Sequence, residues 1–152
     1  MPETPAGPPE GTYLGFDFGL RRIGVASGQT ATRTANPLAV VAHGDAPDWA
    51  AIERLIREWR PVGVVVGLPL DATGEETDMS RRARAFADQL GQRYGVPVHY
   101  NDERLTSQAA GDLFADLRAS GRARRKDAGR LDAMAAGIIL QNWLNRAEAV
   151  DP

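Results

Sequence analysis

The chain has 152 residues, 43% hydrophobic and 25% charged, with a formal net charge of −2 and no cysteine. That length suits one domain with a sizeable core, and no apolar run approaches the roughly 20 residues that span a bilayer. The lack of cysteine excludes disulfides, thiolate zinc sites and a cysteine nucleophile, and it fits a cytoplasmic protein.

Residues 1–11 are proline-rich and lack a basic-then-apolar signal pattern, so a disordered leader is expected there. Residues 12–18 and 22–28 read as two strands joined at Gly19 to Arg21, an antiparallel hairpin. "NPLAVVA", 36–42, is a third strand. In "DAPDWAAIERLIREW", Asp45 or Asp48 can cap a helix, and Pro47 suits its first turn. Trp49, Ile52, Leu55, Ile56 and Trp59 give that helix one apolar face. "VGVVVG", 62–67, is continuously apolar, as expected of a central strand covered on both faces.

A second helix is expected from about Thr77 to Tyr94, with Met79, Ala83, Phe86 and Leu90 inward. "VPVHY" is a short strand. Thr106 or Ser107 then caps a third helix, with Ala110, Leu113, Phe114 and Leu117 inward. A last helix is expected from about Arg130 to Arg146, which ends the folded domain and leaves 147–152 as a tail. Alternation of strands and helices in the second half predicts parallel pairing there, whereas the hairpin predicts antiparallel pairing in the first half. A mixed five-stranded α/β sheet with helices on both faces, in a single domain, is the simplest packing.

Three acids stand out. In "YLGFDFGLRRIGVASG", Asp17 shares a strand face with Tyr13, Gly15 and Gly19, opposite Leu14, Phe16 and Phe18. A buried carboxylate needs a cation, a metal or several N–H donors. It is either paired with Arg21 or Arg22 and fixing the turn, or it belongs to a site. Glu103 follows a short strand, at the kind of strand end where open α/β sheets place their sites. Otherwise it is an exposed acid pairing with Arg104. Adjacent Asp102 faces the other way if the chain stays extended. Asp132 is expected in the first turn of the last helix, where the helix dipole favours an acid. The small residues Ala133, Ala135, Ala136 and Gly137 would also let that helix approach the sheet and bring Asp132 near Asp17.

Together the three acids suggest a carboxylate cluster at one end of the sheet. Clustered carboxylates repel, and a hard divalent cation removes the repulsion. His43 and His99 offer no rival ligand set, and His99 is expected to be packed or partly exposed rather than catalytic. "RASGRARRKDAGR", from Arg118 to Arg130, carries six cations and one acid. Arg118, Arg122, Arg124, Arg125, Lys126 and Arg130 could neutralise phosphates of a nucleic acid, with Arg81, Arg82 and Arg84 as a second cluster. No aromatic platform suggests base readout.

Four stretches, in order, resemble the YqgF/RuvX family: "LGFDFGLRRIGVASG", "VVVGLPLDATGEE", "VHYNDERLTS" and "LDAMAAGIILQNWL". The resemblance covers about 13–145. It implies an RNase H-like fold and a nuclease whose acids fall on Asp17, Glu103 and Asp132, with Mg²⁺ or Mn²⁺ as the cofactor. Family members are described as nucleases maturing the 5′ end of pre-16S ribosomal RNA and as Holliday-junction resolvases, so the partner would be pre-rRNA or branched or single-stranded DNA. Asp17 would bridge the metals, and Arg22 would serve a structural or phosphate-facing role. Phe18 stands where a smaller residue is common, and the basic loop is richer in arginine.

Two rival functions remain at this level. The opening hairpin also resembles the phosphate-binding turn of the sugar-kinase, Hsp70 and actin superfamily, although 152 residues supply one such domain where that machinery closes two around ATP. A nuclease-like module that only binds nucleic acid is the other. Symmetric junction cleavage would favour a homodimer, for which an exposed Trp143 is a candidate contact.

Overall fold

The computed structural model describes residues 8–104 and 128–149. The expected third helix and Arg118, Arg122, Arg124, Arg125 and Lys126 lie outside the described residues. The strands are β1 (Thr12–Asp17), β2 (Arg22–Gln29), β3 (Thr34–Ala42), β4 (Gly63–Leu68) and β5 (Val98–Asp102). The helices are α1 (Trp49–Trp59), α2 (Asp78–Tyr94) and α3 (Ala128–Ala149).

The sheet order is β3-β2-β1-β4-β5. β1, β2 and β3 pair antiparallel, while β1, β4 and β5 run parallel. The mixed five-stranded sheet is therefore as expected. Because β1, β4 and β5 are parallel, their carboxyl ends meet at one end of the sheet. β1 is central, so what it carries at that end is held by a strand on either side.

Alternation along the strands sorts side chains between two cores. Leu14, Phe16, Val64 and Val66 pack with Ile52 of α1 and with Ala83, Phe86 and Leu90 of α2. Tyr13 and Val65 turn to the other face, against Ala136, Ile139, Leu140 and Trp143 of α3. Burial on both faces explains why β4 reads as continuously apolar.

Local chemistry sets the helix ends. Asp48 caps α1 by accepting from the Ala51 amide at 3.2 Å, so Pro47 stands before the cap, not in the first turn. Thr77 and Ser80 exchange side-chain and backbone hydrogen bonds at the start of α2. α3 begins at Ala128, two residues before the expected start, so Asp132 lies in its second turn. The helix-dipole reading of Asp132 thus fails, since the effect fades beyond the first turn. α3 also runs past the expected boundary at 146.

One other expectation needs correction. Trp143 is 8% exposed, packed with the rings of Tyr13 and His99 at 4.9 Å each, and offers no surface to a second copy. Just before β1, the Pro9 carbonyl accepts from the Tyr13 hydroxyl at 2.6 Å. No described helix is long and apolar enough to cross a membrane.

Candidate active site

Asp17 ends β1, and Gly24 of β2 is its register partner. A Cβ on Gly24 would overlap the Asp132 backbone carbonyl and stand 3.0 Å from the Ala133 amide nitrogen. The backbone of α3 therefore rests directly on β2 at Gly24. Any other residue there would lift the helix away. The contact fixes Asp132 beside the strand that carries Asp17.

The other flank is built the same way. Gly67 of β4 lies one residue beyond the Phe16–Val66 pair, so it adjoins Asp17 on the opposite side. A Cβ on Gly67 would stand 2.6 Å from Ile139 Cδ1 and 3.2 Å from Glu103 Cδ. The Glu103 carboxylate thus occupies space that a side chain on β4 would fill. The Glu103 amide donates to the Leu68 carbonyl at 3.0 Å, which holds the chain against β4 just past β5. Asp17 is flanked by two glycines, and each makes room for another acid.

Electrostatics reports the same convergence. Burial pushes the Asp17 carboxyl up to about 7, and the charges of Glu103 and Asp132 add to the rise. Burial also raises Glu103, with a further contribution from Asp102. Each effect disfavours the ionised form, as expected of acids brought together away from water.

Two of the neighbouring cations are engaged elsewhere. Arg22, expected as a partner of Asp17, instead donates from Nε to Asp132 Oδ2 at 2.6 Å, with both side chains partly exposed. Its remaining guanidinium nitrogens leave a phosphate-facing role open. Arg104, expected as a partner of Glu103, binds Asp102 through Nε at 3.0 Å. That bond is the main reason the Asp102 carboxyl sits below its usual range. Asp102 thus faces Arg104, which separates it from the site. Arg104 also reaches the Ala72 carbonyl at 3.4 Å and packs beside Gly74, tying the loop after β4 to the Glu103 segment.

The second expected basic cluster is largely neutralised locally. Arg82 pairs with Asp78 at 3.0 Å, and Arg84 pairs with Glu76 while its guanidinium covers the Tyr100 ring. His99 is packed between Tyr13 and Trp143, and burial depresses its pKa, as befits a core residue. Arg130 lies in the first turn of α3.

The donor set suits a hard divalent cation. All three groups are carboxylates, and among the described residues no cation pairs with Asp17. The set is not a closed cage: no group of three or more acids or imidazoles among the described residues is arranged to hold a metal ion by itself. Mg²⁺ does not require one, since it usually takes one or two carboxylates and fills its shell with water and phosphate oxygens.

Residues 11–146 match the model of the RuvX family, described as Holliday junction resolvase. The chain belongs to the RuvX family. It is 48% identical over 149 residues to a protein of Xanthomonas campestris pv. campestris (strain B100), covering 97% of this chain and 96% of that one. It is 50% identical over 145 residues to one of Xanthomonas axonopodis pv. citri (strain 306), covering 95% and 94%. Both carry the name "Putative pre-16S rRNA nuclease".

Solved structures show the RNase H-like fold of RuvC-type resolvases. RuvC of T. thermophilus, in complex with a Holliday junction substrate, superposes with a TM-score of 0.59 at 18% identity, covering 91% of this chain and 97% of that one. The yeast mitochondrial resolvase Ydc2 gives 0.51 at 10% identity, covering 98% and 82%.

The three acids were visible in the sequence, whereas the glycines that make room for two of them were not singled out. Gly24 and Gly67 each interrupt an apolar strand, a pattern that marks close approach of another backbone or group. That signal was available in "RIGVASG" and "VVVGLP".

Proposed function

We propose that this protein is a divalent-metal-dependent nuclease that hydrolyses phosphodiester bonds in 5′-end processing of pre-16S ribosomal RNA. The observation that carries the reading is the convergence of Asp17, Glu103 and Asp132 at one end of the sheet, over Gly24 and Gly67. The names of its near-full-length relatives support the RNA substrate. Asp17, Glu103 and Asp132 would hold Mg²⁺ or Mn²⁺, which would supply an activated water and stabilise the departing sugar oxygen.

The chain's own residues divide the remaining work. Asp17, on a central strand, offers a ligand that barely moves. Glu103 and Asp132 approach from β5 and α3, so the site forms only when both elements dock. Arg22 orients Asp132 through its Nε bond and keeps further N–H donors for a phosphate. Arg118, Arg122, Arg124, Arg125, Lys126 and Arg130 precede Asp132 in the chain and would neutralise the nucleic-acid backbone.

Action on branched DNA is the second reading, favoured by the description of the matching family. A parallel assay separates them. Purified protein with Mn²⁺ or Mg²⁺ receives a pre-16S 5′-leader RNA, a single-stranded DNA and a four-way junction. Cleavage of the RNA near the mature 5′ end is expected. Paired symmetric nicks in the junction, with the RNA intact, would replace the first reading by the second. ATP binding without action on any nucleic acid would overturn both.

A further inference from the structure

The turn between β1 and β2, Phe18–Arg21, stands at the same end of the sheet as the three acids, directly after Asp17. Its tip carries Leu20, which at 52% exposure is the most exposed large hydrophobic residue among those described. A lone exposed leucine needs no explanation by itself. This one is held in place. His43 donates from Nδ1 to the Gly19 carbonyl at 2.8 Å, and its amide donates to the Arg21 carbonyl at 3.0 Å. One histidine thus fixes the backbone on both sides of Leu20. The His43 ring also packs edge-on against Phe18, at 5.2 Å between centroids.

The turn itself is tight, since a Cβ on Gly19 would stand only 2.5 Å from the Arg22 carbonyl oxygen. The turn is thus braced by contacts within the protein, so presenting its apolar side chain to a ligand costs little further ordering of the backbone. Arg21 beside it is exposed and has no ion pair among the described residues.

We propose that this turn is a substrate-binding element: Leu20 packs against the face of an unstacked nucleobase next to the scissile phosphate, and Arg21 contacts an adjacent phosphate. Aliphatic side chains presented from a rigid backbone wedge against bases in this way, and a base face offers apolar area whatever its sequence. The inference rests on the nucleic-acid substrate proposed above and adds the contact that positions it.

The test uses the full chain carrying Asp17→Asn, so that bound strands stay uncut. The probe is a fluorescent single-stranded leader RNA with 2-aminopurine beside the cleavage position. Leu20→Ser is expected to weaken binding about five- to tenfold, leave the salt dependence unchanged and abolish the change in 2-aminopurine emission. Leu20→Met is expected to restore both. Arg21→Ala is expected to lower the salt slope by about 1 while keeping the emission change. Because Leu20 is exposed, Leu20→Ser should melt as the parent does.

Leu20→Ser binding that matches the parent, or a loss that tracks the salt slope as Arg21→Ala does, would overturn the wedge. Cleavage by the otherwise wild-type chain is measured alongside. Retained cleavage with unchanged Leu20→Ser binding sinks this inference alone. Absent cleavage with weakened Leu20→Ser binding sinks the nuclease reading and leaves the contact standing.

Discussion

Asp17 on β1 lies opposite Gly24 on β2, and the volume that a side chain at Gly24 would fill holds the backbone carbonyl of Asp132. The missing side chain on one strand therefore sets the distance between two acids on other elements. A carboxylate in the middle of a sheet is costly unless something at the site benefits from it. Here the cost concentrates at the meeting point of three acids.

Gly24→Ala tests this directly. The added methyl meets backbone, which cannot rotate away, so α3 must shift. Overpacking of this kind costs about 1–3 kcal/mol, and a lowering of Tm by roughly 3–10 °C is expected in thermal unfolding. Gly44→Ala, where nothing stands within 4 Å of the added Cβ, should stay within about 0.5 kcal/mol of wild type. Equal melting of the two variants would show that α3 does not rest on β2 at Gly24.

The raised Asp17 carboxyl makes metal-free stability depend on pH. Its ordinary value is 3.8 and its folded value is about 7. Between them the native state holds a proton that the unfolded chain has released, so this group's contribution falls as pH rises from about 4 to about 7 and is flat above. Asp17→Asn removes that fall. In EDTA, the Tm advantage of Asp17→Asn over wild type should widen from pH 5 to pH 8. A constant difference would place Asp17 in a hydrated setting.

Divalent cation should reverse the penalty. At pH 8, Mn²⁺ is expected to raise the Tm of wild type and to leave Asp17→Asn nearly unchanged, because only the ionised carboxylate is a ligand. At pH 5.5 the gain should shrink, since protons compete for the same oxygens. Equal shifts in both proteins would mean that the ion binds elsewhere.

The basic segment before α3 makes a separate prediction. Arg124→Ala combined with Arg125→Ala should weaken nucleic-acid binding uniformly across sequences and lower the salt slope by about 2, one per lost phosphate contact. An unchanged slope would remove these arginines from the interface.

Much of the architecture was legible because its signals are local. The alternation in β1, the apolar run of β4 and the cap Asp48 each reflect a preference expressed within a few residues. Asp17 could be named for a similar reason, since charge in an apolar strand requires a partner, whereas Glu103 and Asp132 drew attention by their places at a strand end and a helix start and by the family resemblance. Their partners were harder to read. Arg22 was weighed against Asp17, its near neighbour, yet it bonds Asp132, 110 residues away. Arg104 was weighed against Glu103, but the fork of its guanidinium meets Asp102. Trp143 looked available for a partner copy until β1 and β5 supplied Tyr13 and His99 to cover it. Such choices depend on long-range docking, which a linear pattern does not encode.

The most direct test is cleavage of a pre-16S leader RNA by wild type and by Asp17→Asn, at pH 8, with Mn²⁺ or Mg²⁺ and with EDTA. The substitution keeps the shape of the side chain and removes its charge. Cleavage that requires the divalent ion and falls by at least about a hundredfold in Asp17→Asn is expected, because the substitution would remove the charge of the proposed ligand. Equal cleavage by the two proteins, or cleavage that persists in EDTA, would contradict the three-acid metal site.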